Sequence, residues 1–133
     1  MAKPKPETVP LLDHRGRIQV PLEDNAMYVL CPSYEAQEAI ELQLGRSCTQ
    51  LAMQSYQGAL STADLAVIVV ECMKAHGRRD KEAGPSYTGA KPSTVARMIS
   101  EQGQPKITAR ICALLTGIIT GGYTAEGEPK PAA

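Results

Sequence analysis

The stretch Ser61-Thr62-Ala63-Asp64-Leu65-Ala66-Val67-Ile68-Val69-Val70-Glu71-Cys72-Met73 decides the fold. Its first four residues form an S-x-x-D arrangement, in which the Ser61 hydroxyl accepts from the amide of residue 64 and the Asp64 carboxylate reaches back to the amide of residue 61. From Leu65 onward the stretch is apolar nearly all round. A β-branched run such as Val67 to Val70 also suits a central strand, and periodicity alone does not separate the two. The cap, and a length of about fourteen residues to Ala75, favour a helix. A helix that is apolar on every side is buried on every side, so the rest of the chain must supply its cover.

Towards the C-terminus, His76-Gly77 is followed by Arg78-Arg79-Asp80-Lys81-Glu82-Ala83-Gly84-Pro85, which reads as a mobile charged loop over residues 77–92. Helical spacing returns at Ser93 with Val95, Ala96 and Ile99 and stops at Gly103. A final helix starts at Pro105, a residue suited to the first helical position. It places Ile107, Ile111, Leu114, Leu115, Ile118 and Ile119 on one face with Arg110 opposite, and Gly121-Gly122 ends it. Burying that face returns about as much free energy as ordering its backbone costs, so this helix holds only when docked.

Towards the N-terminus, Ile18, Val20 and Leu22 alternate with Arg17, Gln19 and Pro21, the period of a strand with one buried face. Pro21 puts that strand on an edge or near its end. Glu23-Asp24-Asn25 is a polar connector in which Asn25 tolerates a left-handed backbone, and Ala26 to Cys31 returns as a second strand. A lone hairpin is marginal in water, so it packs on the helices or pairs with another edge, the latter a route to a homo-oligomer. Ser33 is a helix N-cap with Glu35 in the first turn, and the helix runs to about Leu44. Ala36, Ile40 and Leu44 share one of its faces, while Glu35, Glu38 and Glu41 share an acidic sector. Gly45 closes it, and Cys48 to Ala59 forms a weaker second helix. The expected fold is mainly α (α+β): an N-terminal β-hairpin followed by about four to five packed helices.

Lys and Arg number 14, as do Asp and Glu, with no Trp and no Phe. Zero net charge argues against a domain that works by neutralising phosphates, and five Tyr make a poor base-stacking platform. Outside residues 1–13, 77–92 and 122–133 the chain holds all but three of its Leu, Ile and Val, whereas those segments hold seven of the ten prolines. The expected organisation is therefore a Pro-rich flexible tail at 1–13, one compact domain at 14–121 and a second flexible tail at 122–133, neither tail with secondary structure. The chain starts without an apolar leader, and its longest uncharged apolar run, Leu65 to Val70, falls far short of a membrane span. These features predict a cytoplasmic protein without membrane contact.

Cys31, Cys48, Cys72 and Cys112 include no C-x-x-C pair, so they read as reduced core thiols and not as a zinc site. His14 and His76 stand beside no plausible nucleophile, and His76, next to Lys74, Arg78 and Arg79, reads as a cation at a helix C-terminus. No phosphate-cradling loop precedes a helix. The sequence thus offers no catalytic residue, cofactor site or metal site, and predicts a protein that is not an enzyme. Two non-enzymatic readings remain. One is a small helix-turn-helix-like DNA-binding regulator of a prophage, built on residues 93–115 with Lys106 and Arg110 towards DNA; Ile107, Thr108 and Ala109 sit where base-reading side chains are wanted. The other is a protein-interaction module.

The order of elements favours the second reading. A hairpin led by Arg15-Gly16-Arg17 precedes a Glu-rich helix ending Glu41-Leu42-Gln43-Leu44-Gly45. Leu51 and Ser61-Thr62-Ala63-Asp64-Leu65 come next, the latter opening an apolar helix to His76-Gly77. Val95-Ala96-Arg97-Met98-Ile99 with Gly103 and a terminal aliphatic helix complete the series. Over about residues 14 to 122 this resembles the gene-transfer-agent family of phage tail assembly chaperones. It departs from that family in the charged loop, in lacking an aromatic before Gly45 and in its Pro-rich ends. The resemblance implies a non-enzymatic factor that binds the tape measure protein, helps recruit tail tube subunits in the host bacterial cytoplasm and leaves before the particle is finished. No cofactor and no nucleic acid partner is implied. The surface expected to meet the partner combines Arg17, Gln19 and Tyr28 on the hairpin with Glu35, Glu38 and Glu41 on the acidic helix face.

Overall fold

The computed structural model describes residues 10–24 and 26–131. The turn residue Asn25 and most of the expected N-terminal tail, residues 1–9, lie outside that range, as do residues 132 and 133. The fold is mainly α with a small β part. Strands β1 (Gln19–Glu23) and β2 (Ala26–Val29) are followed by α1 (Tyr34–Leu44), α2 (Cys48–Tyr56), α3 (Thr62–Arg79), α4 (Pro85–Thr88), α5 (Pro92–Gln102) and α6 (Gln104–Ile119).

Helix starts follow from local chemistry. Ser61 Oγ accepts from the Asp64 amide at 3.0 Å, and Asp64 Oδ2 accepts from the Ser61 amide at 3.2 Å, closing the expected box. Ser33 caps α1 as expected. Ser47 and Gln50 make a second capping box at the start of α2. Gly45, at φ 65°, ends α1 in the left-handed region that favours glycine.

Leu65, Ala66, Ile68, Val69, Val70, Cys72, Met73 and Ala75 of α3 are buried, and α1, α4, α5, α6 and β2 pack around them. Ile107, Ile111, Leu114 and Leu115 of α6 join this core, whereas Ile119 is exposed and Ile118 half-buried. The antiparallel hairpin pairs Gln19 with Val29 and Val20 with Tyr28, with a register shift between Pro21 and Glu23. It docks through β1 on α5 and α6 and through β2 on α3, which answers its marginal stability.

Three expectations are corrected. The alternation in β1 does not leave Gln19 and Pro21 in solvent: both are buried, and the Gln19 side chain bonds Pro10 O on a segment that runs along the edge of the strand, where Leu12 bridges Ile18 and the Gln19 amide donates to Leu11 O. The segment 77–92 is not a loop throughout. α3 continues to Arg79, its last turn enriched in cations that suit the helix C-terminus, and a 3-10 turn over Lys81–Ala83 leads into α4. Tyr87 of α4 is half-buried against the hairpin, and its hydroxyl accepts from the Val29 amide at 2.8 Å. The C-terminal stretch has structure too. Tyr123 bridges Pro129, Tyr34 N donates to Ala125 O, and buried Gly127 lies against Cys31 and Ser33.

Gly77 is what lets α4 approach α3. A β-carbon there would stand 2.7 Å from Thr88 Cγ2 and 3.2 Å from the Thr88 amide nitrogen. Alanine in a helix interior normally gains about 1 kcal/mol over glycine, but overpacking costs about 1–3 kcal/mol. Gly77→Ala should therefore lower stability in urea unfolding by about 1 kcal/mol; a gain would mean that α4 yields without cost.

Candidate functional site

The six residues expected to form one partner surface are not brought together on one exposed face. The Arg17 side chain is only 11% exposed, and its Nε donates to Asp13 Oδ2 at 3.0 Å. Gln19 is buried, with Nε2 donating to Pro10 O. Tyr28 is half-buried, its ring centroid 5.4 Å from that of Tyr87 and its hydroxyl donating to Glu23 Oε1. Arg17 and Gln19 are thus withdrawn from the surface by the same N-terminal segment that covers β1.

The acidic residues of α1 do stay outside, but in different roles. Glu41 Oε2 accepts from the Cys48 amide at 2.8 Å and so caps α2 from the preceding helix. Glu38 accepts from the Tyr34 hydroxyl one turn earlier. Glu35 lines a cleft of about 740 Å³ between α1, α3 and the C-terminal segment, together with Arg78 and Glu126. Glu71, buried at that cleft, accepts from Gln43 Nε2 at 2.7 Å. At 100° per residue, Tyr34, Glu35, Glu38, Glu41 and Leu42 occupy one sector of α1. Leu42 is 77% exposed and Tyr34 59%, so the sector is acidic and apolar at once. The apolar members escape a reading of the sequence, because a single Leu or Tyr on a helix carries no mark of whether it faces the core or the solvent.

Arg46 ties three helices beside this face: it donates to Asp64 Oδ1 and to Gln54 Oε1, each at 2.6 Å, and to Leu44 O. Burial tends to raise the Asp64 pKa, but the Arg46 and Ser61 hydrogen bonds outweigh it and hold the carboxyl below its ordinary range. Burial pushes the Cys31, Cys48 and Cys72 thiols up, Cys48 to about 11 with help from Glu41 and Cys72 well above its ordinary value, which leaves them protonated and unreactive as nucleophiles. Among the described residues no three His, Cys, Asp or Glu side chains converge on a metal-sized site, and no helix is long and apolar enough to cross a membrane.

Of the two cations expected towards DNA, Arg110 is turned onto the chain itself. Its Nη1 donates to Gln19 O at 2.8 Å and to Pro10 O at 3.0 Å, and Gln104 Nε2 pins the start of α6 to Leu60 O. The first turns of α6, where a recognition helix reads bases, are thereby committed to backbone elsewhere in the protein. Compared with known protein families, curated proteins and solved structures, the chain matches none.

His76 corrects another expectation. It is not a solvated cation at the end of α3 but is 6% exposed, its ring 4.8 Å from that of Tyr87. Burial, reinforced by the Arg17 charge, lowers its pKa below the ordinary 6.5. The unfolded chain then binds the extra proton, so the stability due to neutral His76 is complete above about pH 6.5 and is lost as pH falls through the lowered folded-state value. Urea midpoints measured from about pH 7 to about pH 5 should fall, and His76→Gln should flatten that slope; an unaltered slope would mean that His76 titrates as in the unfolded chain.

Proposed function

We propose that this chain is a non-enzymatic tail assembly chaperone of a phage or phage-like particle, which binds the tape measure protein and assists recruitment of tail tube subunits. The observation that carries the reading is the outer sector of α1, where Leu42 and Tyr34 stand exposed among carboxylates. A long tape measure helix exposes apolar stripes that aggregate in water, and an apolar helix face is suited to cover them. Glu35 and Glu38 supply attraction to cationic flanks of such a stripe, which speeds encounter more than it tightens binding. A contact of a few side chains suits a partner that has to be released before the particle is complete. The element order supports the same reading: hairpin, Glu-rich helix, buried helix opening at Ser61 and terminal aliphatic helix run as in the tail chaperones that the sequence resembles. The host cytoplasm is the compartment this role requires.

Co-expression with a tape measure protein, sought as a neighbouring reading frame for a very long helical chain, tests the proposal. The soluble fraction of the tape measure protein should rise with the native chain, and rise less with Leu42→Asp or Tyr34→Ser. Both side chains are exposed, so these changes should alter the chain's own stability by no more than about 0.5 kcal/mol. If the tape measure protein is equally soluble with and without the native chain, the reading is to be abandoned.

A further inference from the structure

At the end of α3 furthest from its cap, a second cavity of about 360 Å³ is built from four separate parts of the chain. The turn before β1 brings Arg15 and Arg17, α3 brings His76 and Arg79, the following turn brings Lys81, and the C-terminal segment brings Glu128. Neither ring nitrogen of His76 has a hydrogen-bond partner among the described residues, and although the side chain is only 8% exposed, these nitrogens are not themselves buried. The nearest carboxylate oxygen, Asp80 Oδ2, stands 3.9 Å from Nε2, beyond hydrogen-bonding reach. Arg17 is in a related state. Its Nε is used by Asp13, while its two terminal amino groups, on a side chain that is only 11% exposed, make no hydrogen bond among the described residues. Glu128 stands 3.9 Å from the Arg79 Nε, again too far to bond. Arg15 and Lys81 make no ion pair among the described residues.

Among the described residues no side-chain nitrogen or oxygen is both buried and without a partner, so the unused donors of His76 and Arg17 are open, on side chains that line the cavity, and free to bond a group that enters it. The group that completes such a set must offer several acceptor oxygens and negative charge, because four cations face the cavity against the carboxylates of Asp80 and Glu128 and, paired with Arg17, of Asp13. We infer that His76, Arg17, Arg15, Arg79 and Lys81 form a binding site for a phosphate-sized oxyanion. The fork of Arg17 and the imidazole N–H supply directional bonds, while Arg15, Arg79 and Lys81 supply charge. A bound anion would also favour the protonated imidazole, opposing burial and the Arg17 charge that hold it neutral; Asp13, Asp80 and Glu128 already act in that direction, and Tyr87 closes the ring's other side. The site shares no residue with the outer sector of α1, so it stands or falls independently of the chaperone reading.

The chain has two histidines, so the His76 imidazole resonances can be followed by NMR in the native protein. Inorganic phosphate, titrated against chloride at matched ionic strength, should move the His76 signals saturably and shift the pH midpoint of that residue upward. Arg15→Ser with Lys81→Ser removes two exposed cations, leaving thermal stability in phosphate-free buffer unchanged and weakening phosphate binding about tenfold. Absence of a saturable response, an equal response to chloride, or unchanged affinity in the double variant would each overturn the site. A response to short duplex DNA with none to phosphate would overturn it as well, by making the cavity part of a nucleic acid surface.

Discussion

Most of α3 is closed to water, all but a strip through Ala63, Lys74 and Arg78, and the other elements are arranged around that fact. Its buried side chains need cover, which α1, α4, α5, α6 and β2 provide. Each of those elements is required to be apolar only where it meets α3 or a neighbour, so each keeps an outward face free for other chemistry. The capping box at Ser61 fixes where α3 begins, and Arg46 locks that start to the end of α1 and to the side of α2. A half-buried guanidinium shared among Asp64, Gln54 and a backbone carbonyl is satisfied only if all three partners stay in place, so it specifies one arrangement of the three helices.

Much of this is legible in the sequence because the signals are local. Serine at 33 and 61, glycine at 45 and the spacing of aliphatic residues in α6 each act within about one helical turn, and each gives the observed element within a residue or two. The features that escape are set by distant chain. Gln19 alternates with Val20 as a surface residue should, yet residues 10–12 lie along the edge of β1 and bury it. His76 sits among Lys74, Arg78 and Arg79 in sequence, but in space it meets Tyr87 and the turn carrying Arg17. The C-terminal segment has the composition of a tail. Its glycine is there for close approach, since a β-carbon on Gly127 would lie 2.6 Å from Cys31 Sγ.

The same division runs through the candidate site. Spacing alone correctly puts Glu35, Glu38 and Glu41 on one sector of α1, because helical geometry is local. Their separate uses depend on the surroundings of the helix: the start of α2 takes Glu41, and the packing of the C-terminal segment creates the cleft that Glu35 lines. A carboxylate that caps a neighbouring helix contributes to stability, whereas one that lines an open cleft is placed to meet another molecule.

Zero net charge, finally, describes the sum and not the field. Around the acidic sector of α1 the carboxylates dominate, while around His76 the four cations Arg15, Arg17, Arg79 and Lys81 gather against three acids, Asp13, Asp80 and Glu128. At physiological ionic strength charges are screened beyond about 8 Å, so a partner approaching either place responds to the local set and not to the total. The balance still argues against a nucleic acid footprint, which needs many cations spread along a backbone. It does not argue against a single oxyanion, because one cavity with unused donors on two nearly buried side chains satisfies that ligand from within a few ångströms.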